Sequence, residues 1–568
     1  MKIISRLGQK FLFGIPLLVS LAYAQEKKTD YGQLHGNFQT NVQYYLRDTV
    51  IDPQGDAYPD ERLLAAGFLN LNYTRGDFMA GLRYENYQNN LIGLPEGFQG
   101  QGIPYRFIRY RRDGLDVTVG NYYEQFGSGL VFRAYEERGL GLDNAMDGIR
   151  LIYEARPGIN IKALIGRQRL YFETTEGIVR GADFEINLNE LRSEPAKTNL
   201  IFGGSFVSRF ENAQDPIYNL PENVATAGLR ANLISGNFNI YGEYAYKSQD
   251  PNSSNRFIFK PGHAVYANAS YAKNNLGVIL GYKYYDNFLF RSERVGNLLA
   301  FEKFINYLPP LAELHTYALP ALYAYNVQAN GETGIQAEVS YNFDRGTPLG
   351  GKYGTLLNVN FSNSYSLDKD FETRLDIDST QTVSGTDGYE DWPGAGDVQY
   401  FQDFNVEVKS KLNRAWKGTF SYYNFIYNRT AMLDGVVDDL ITPQTNIQMV
   451  YVNAMVAELL WKIKPRHSLR MEGQLMLTEQ DRGSWAMLLF EYSIAPKWFF
   501  AVQDVYNYSN PDPDLRVHYP LVSLGYTRGT TKVQLTYGRQ QEGVFCVGGI
   551  CRVVPATNGF SMLLTSNF

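Results

Sequence analysis

Residues 33–47 read QLHGNFQTNVQYYLR, and they alternate without a break. Leu34, Gly36, Phe38, Thr40, Val42, Tyr44 and Leu46 share one face, and Gln33, His35, Asn37, Gln39, Asn41, Gln43, Tyr45 and Arg47 share the other. A period of two marks an extended strand, whose side chains point alternately to opposite sides. One face suits hydrocarbon and the other suits water. The chain closes in the same manner, on GFSMLLTSNF. Phe560, Met562, Leu564 and Phe568 fall on one parity, and Gly559, Ser561, Thr565 and Asn567 on the other. Sealing this last strand against the first puts the greasy parity in lipid. There every backbone N–H and C=O needs a partner within the protein, so an open sheet edge is excluded.

The pattern recurs between these ends. FLNLNYT and FMAGLRYENY flank Arg75-Gly76-Asp77, GIRLIYEA and INIKALIG flank Arg156-Pro157-Gly158, and AGLRANLI and FNIYGEYAYK flank Ser235-Gly236-Asn237. About 24 such segments fit the chain (range about 22–26), at the ~10 residues of a membrane-spanning strand. Alternation blurs over 104–122 and 449–462. Every second connection is tight, as at Ala495-Pro496-Lys497. The others are mostly long: 48–62, 88–103, 123–144, 248–262, 286–332, 366–397, 428–448 and 541–558. Short turns on one side and long loops on the other are the layout of an outer-membrane barrel, with the short turns in the periplasm. The expected fold is all-β, a single transmembrane antiparallel β-barrel over 25–568.

Composition agrees. The chain holds 43 Tyr, 34 Phe and 53 Gly but 2 Cys, and its mean hydropathy of −0.31 excludes a bundle of spanning helices. Aromatic girdles at both interfaces account for such Tyr and Phe usage. Lys2, Arg6 and Lys10, the apolar FLFGIPLLVSLA and the small-x-small Ala22-Tyr23-Ala24 read as a signal peptide over 1–24. Its removal takes the net charge from −6 to −9, and an acidic chain of this kind argues against nucleic acid as a partner.

VFCVGGICRV precedes the last strand. Gly548-Gly549 suits a two-residue hairpin turn, which sets Val547 opposite Ile550 and Cys546 opposite Cys551. A non-hydrogen-bonded cross-strand pair has a Cα separation of ~4.5 Å, within disulfide range. The expectation is a Cys546–Cys551 disulfide worth about 2 kcal/mol; two free thiols, or a metal clip lacking further ligands, are the alternatives.

Two segments carry a resemblance: YEQFGSGLVFRAYEERGLGLDNAMDGIRL, residues 123–151, and INYLPPLAELHTYALPALYAYNVQANGETG, residues 305–334. With the strand pattern they resemble a family of Bacteroidota outer-membrane β-barrels known mainly as a domain of unknown function. The resemblance implies a location in the outer membrane of a Gram-negative bacterium and names no substrate. A terminal Phe also resembles the C-terminal signal read by barrel-assembly machinery, with Phe560, Met562, Leu564 and Phe568 as its residues. Some barrels of that phylum serve secretion or assembly complexes, which admits a non-transporting scaffold with a surface or periplasmic lipoprotein partner.

A barrel of this size encloses a wide lumen. The first strand starts at Gln33, so no N-terminal plug domain is expected and loops or another chain must fill the space. Loop 286–332 is rich in Leu, Phe and Tyr, with Tyr307, Pro309, Pro310, His315 and Tyr317 at its centre, and is too apolar to stand in water. It reads as a plug or constriction, as a docking surface, or as a folded cap on the rim. Loop 123–144 brings Gly127-Ser128-Gly129 and the charges Arg133, Glu136, Glu137, Arg138 and Asp143. These either set a field across a pore or pair with one another on the rim. Loop 366–397 carries nine carboxylates, among them Asp368, Asp370, Asp376, Asp378, Asp387, Glu390, Asp391 and Asp397, whose spacing matches no calcium loop, and a solvated acidic face is the simpler reading. Inward positions hold many amides, among them Asn37, Gln39, Asn41, Asn70, Asn72, Asn187, Asn189, Asn358 and Asn360, which suggests a wet lumen of weak ion preference. FGSG is not a nucleophile elbow, and the five histidines lack metal-ligand spacing, so the sequence points to no enzyme and no cofactor. The functional expectation is a loop-occluded conduit.

Overall fold

The computed structural model describes residues 31–52, 60–89, 91–194, 196–213, 215–295, 303–371, 384–433, 447–547 and 550–568. The signal-peptide segment 1–24 lies outside them. Among the described residues, 24 strands form one antiparallel sheet that closes on itself. The first strand, Gln33–Tyr45, pairs with Leu63–Arg75 on one side and with the last, Thr557–Asn567, on the other. Thr531–Gln540 pairs directly with that last strand, and the small hairpin Gly543–Val547/Ile550–Val554 stands outside the ring.

The parity read from residues 33–47 is the parity observed. Phe560 of the greasy set is 53% exposed on the isolated chain, whereas Tyr45, on the opposite set, is 6% exposed. Leu34, Tyr44, Leu82, Ile149, Phe206, Leu229, Phe420 and Val522 likewise stand on the outside. Such an apolar band is stable only against hydrocarbon. Alternation blurred at 104–122 because the ladder is irregular there. The register slips opposite Arg83 and Glu85, and Gly120 adopts φ +100. Strands nevertheless form as Gly100–Arg112 and Leu115–Tyr122. The second blurred stretch is Met449–Lys464, with a slip between Lys462 and Lys464.

At the seam, Gly36 and Phe568 exchange backbone hydrogen bonds of 2.8 and 2.9 Å. A Cβ on Gly36 would lie 2.3 Å from the Phe568 ring. The terminal aromatic therefore packs into the space that a missing side chain leaves. At the long-loop end of the seam, Asp48 accepts from Arg539 Nη2 at 2.9 Å and from Asn558 Nδ2 at 2.8 Å.

The two-sided rule for connections holds with exceptions. Gly76-Asp77 and Gly236-Asn237 are tight, with φ +55 and +58 at the glycines. On the same side, 188–197 and 344–354 are longer. On the other side the long loops include one tight turn, at Tyr171-Phe172. Both described ends of the chain lie on the short-turn side, which is the periplasmic one.

Candidate functional site: a plug made of two loops

Loops 123–145 and 287–330 do not stand on the rim. Both fold against the inner wall, and they bind each other. The Arg133 N–H donates to Ile305 O and the Tyr307 N–H to Gly129 O, both at 2.9 Å. Asn144 Nδ2 donates to Phe304 O at 2.8 Å, and Asn306 Nδ2 to Leu130 O at 3.2 Å. The Arg133 guanidinium sits 4.1 Å from the ring centroids of both Tyr135 and Tyr307. Burial pushes the Tyr307 phenol above its ordinary pKa, against the pull of Arg133. It stays neutral and offers its ring face to the cation.

Short strands Glu124–Phe126 and Phe132–Ala134 stiffen the first loop, as do Glu136–Glu137 and Leu142–Asp143. The apolar residues Phe126, Leu130, Val131 and Phe132 have no exposure and pack on Leu164, Val179, Val207 and Ala245 of the wall. Three of its charges, Glu136, Arg138 and Asp143, form ion pairs inside the barrel. Glu136 meets Arg83 at 2.8 Å and Arg138 at 2.5 Å. Asp143 binds Arg83 and Arg169, and those two also hold Glu85, each at 2.7 Å. Arg138 reaches Gln39 at 3.3 Å. The Glu137 carboxylate accepts from the Gly139 N–H at 3.3 Å.

The second loop crosses the lumen. Phe288, Phe290, Ile305 and Leu308 join the first loop's cluster, and the Tyr285 hydroxyl donates to Pro309 O at 2.8 Å, with Pro310 half-buried beside it. Leu319, Tyr323 and Tyr325 then pack on the far wall, against Phe401, Phe425, Tyr427, Val452 and Trp485, with Tyr317 at the edge. His315 Nε2 lies 2.8 Å from Asp403 Oδ2, and the Leu319 N–H donates to Gln474 at 2.9 Å. Leu298, Leu299 and Phe301 lie outside the described residues.

Space remains beside the seam. A cavity of about 660 Å³ runs between Ala318, Ala321, Leu322 and Gly139 on the plug and Asn41, Gln43, Thr536 and Ser561 on the wall. Its lining mixes amides and hydroxyls with apolar side chains such as Leu91, Ile92, Leu322, Val505 and Leu521, and holds two charged groups, Arg138 and Arg539. Amides such as Asn41 and Gln43 line part of this cavity, but the wall as a whole is not amide-lined. Inward positions elsewhere carry Arg83, Asp183, Arg230 and Lys283, all paired, and Asn189 sits in a turn, bonded to Ala196. An inventory of amides missed these because each charge is neutralised by a strand distant in sequence.

In loop 366–397, Asp376 and Asp378 lie outside the described residues. Asp391 pairs with Lys260 at 2.6 Å. Among the described residues no group of His, Cys, Asp and Glu is placed to hold a metal. Cys546 and Cys551 are direct cross-strand partners in the backbone register. Their side chains and the Gly548-Gly549 turn lie outside the described residues.

A sealed ring of 24 strands with an apolar outer band and a polar, filled interior is a large β-barrel of the outer membrane of a Gram-negative bacterium. The chain belongs to a family of unknown function (DUF6029), whose model matches residues 8–568. No curated protein matches it. Among solved structures it is similar to the siderophore receptor PirA from Pseudomonas aeruginosa, at 10% identity and a TM-score of 0.40 over 95% of this chain and 81% of that one. It is similar to the translocation pore of the P pilus usher PapC, at 8% and 0.40 over 94% and 99%. A third is the outer membrane protein opdK from Pseudomonas aeruginosa, at 12% and 0.31 over 83% and 99%.

Proposed function

We propose that this chain is a conduit across the outer membrane, of Bacteroidota origin, that its own loops hold shut. One observation carries the reading: two loops separated by more than a hundred residues hydrogen-bond to each other inside the ring and pack on opposite walls. A wide barrel needs no such device to be stable as a wall. The path for a solute follows the cavity beside the seam, and it widens when the 311–325 segment leaves the far wall. The expected result is a low conductance for the intact protein in planar bilayers and a several-fold higher one after residues 311–325 are replaced by a short Gly/Ser linker. Equal conductance of the two would refute it.

A second reading has its own support. Arg83, Arg169, Glu85 and Asp143 are buried and mutually paired, an arrangement made to stay closed. A permanently closed barrel serves as a scaffold for an export or assembly complex with a lipoprotein partner. A silent barrel, before and after the replacement, that co-purifies with stoichiometric lipoprotein supports this reading. In either case Phe560, Met562, Leu564 and Phe568 act as the signal for barrel assembly, and Cys546 and Cys551 form a disulfide in the extracellular hairpin. Thiol labelling of intact cells without reductant tests the latter, and two reactive thiols would end it.

A further inference from the structure

The short-turn rim is electrically lopsided. Five consecutive short connections, at 344–354, 412–415, 465–466, 495–497 and 529–530, carry or adjoin Arg345, Lys352, Lys409, Lys411, Arg414, Lys417, Lys462, Lys464, Arg466, Lys497, Arg528 and Lys532. All twelve are exposed. Against them these turns set one carboxylate, Asp344, and the wall offers Glu407 to Lys409 at 2.6 Å. The turns from residue 75 to 197 differ. There Arg75, Arg111, Arg112, Arg156, Arg192 and Lys197 are matched by Asp77, Asp113, Glu154, Glu190 and Glu194. Arg112 meets Asp113 at 3.2 Å and Asp77 at 3.8 Å. A chain of net charge −6 has no compositional reason to gather cations on one arc.

We infer that this arc is a docking site for an acidic polypeptide segment at the periplasmic mouth. Adjacent turns are two strand spacings apart, about 10 Å. That is close to the screening length of ~8 Å at physiological salt, so their potentials merge into one band. The direction of the side chains selects the occupant. Lys417 shares parity with Tyr423, Phe425 and Tyr427, which pack on the plug, so it points to the lumen. Lys409 and Lys411 share the parity of the buried Asp403 and Asn405, and Lys462 that of Val452 and Val456. The lipid side at this depth holds instead the stacked pair Trp416 and Trp461, with centroids 5.2 Å apart. Headgroups would meet aromatic rings, whereas something entering from the periplasm would meet lysines. A filter for small anions would need its charge around the whole ring, but an arc suits an extended partner lying across one side of the mouth.

The test uses the mature full-length protein in zwitterionic lipid nanodiscs and fluorescent poly-L-glutamate as the probe. The polymer binds, more weakly as salt rises. Replacing Lys411, Lys417, Lys462 and Lys464 by Gln weakens binding by at least roughly tenfold, and replacing Arg75, Arg111, Arg112 and Arg156 by Gln changes it by less than about twofold. A second variant, Arg466→Gln with Lys497→Gln, alters only turn residues and loses about threefold, which guards against a folding defect in the first. Absence of binding to the unaltered protein overturns the inference, as does equal loss from both arcs. Phosphatidylglycerol in the disc that displaces the polymer, and is itself no longer retained by the first variant, would make the arc a headgroup site and also overturn it.

Discussion

The two ends of the plug are held by different chemistry. Near residues 136–143 the plug is fixed by ions: Arg83 and Arg169 share Asp143 and Glu85, with Glu136 alongside. Near residues 319–325 apolar packing carries more of the contact, with Leu319, Tyr323 and Tyr325 on an aromatic and aliphatic wall, joined by hydrogen bonds from the Leu319 N–H to Gln474 and from the Tyr323 and Tyr325 hydroxyls to Asp481 and Glu332. The difference matters for movement. A buried ion pair that loses one partner leaves a charge without solvent, so its disruption is steep and all-or-none. Apolar packing is non-directional and weakens in proportion to the area lost. If the conduit proposed above opens, the ionic end is expected to stay in place and the 319–325 end to let go first.

Arg169→Met should have the largest effect. It leaves Asp143 and Glu85 under-compensated and costs about 3–5 kcal/mol. Faster hydrogen exchange over 123–145 would show it, and Asp143→Asn in the same chain should restore part of the loss. Leu319→Ala comes next, at about 2–3 kcal/mol. It should speed exchange over 311–325 and leave 123–145 unchanged. Loosening of both ends by either substitution would break the comparison and make the plug one cooperative body.

Smaller effects are expected at the seam, and they should spare the contrast between the ends. Gly36→Val forces a side chain against the Phe568 ring and should cost about 1–2 kcal/mol. Heat-dependent gel mobility of the whole barrel reads this out. The smallest effect is acidic. Burial alone would raise the Asp48 carboxyl. The hydrogen bonds from Arg539 and the Val50 N–H, together with the charge of Arg539, outweigh burial and hold it below its ordinary 3.8. A lowered carboxylate contributes stability above the unfolded value and loses it as pH falls through the folded one. The gap in melting temperature between the native chain and Asp48→Asn should therefore close only below pH 3.8.

The wall of this molecule was legible in the sequence because lipid imposes strict alternation and any departure has a local cause, such as Gly120 or the slip beside Lys462. The apolar content of loop 286–332 was legible too, since so apolar a loop does not stand in water, whereas the charges of loop 123–144 left two readings open. Their joining was not. Asn144 meets Phe304 across 160 residues, and His315 meets Asp403 across 88. No periodicity links positions that only ring closure brings together. The anchoring residues Arg83 and Arg169 carry no local signal either, since each reads as one more polar residue on an inward face.

Loop 287–330 leaves the wall at Asp286 and re-enters it at Gly331, and these two residues are ladder partners. This half of the plug is thus a leaf hung from one pair of neighbouring strands. On the proposed reading it swings clear without separating any two staves of the cask, and it cannot drift away or be lost to dilution. On that reading, opening and shutting are settled within one molecule at any concentration.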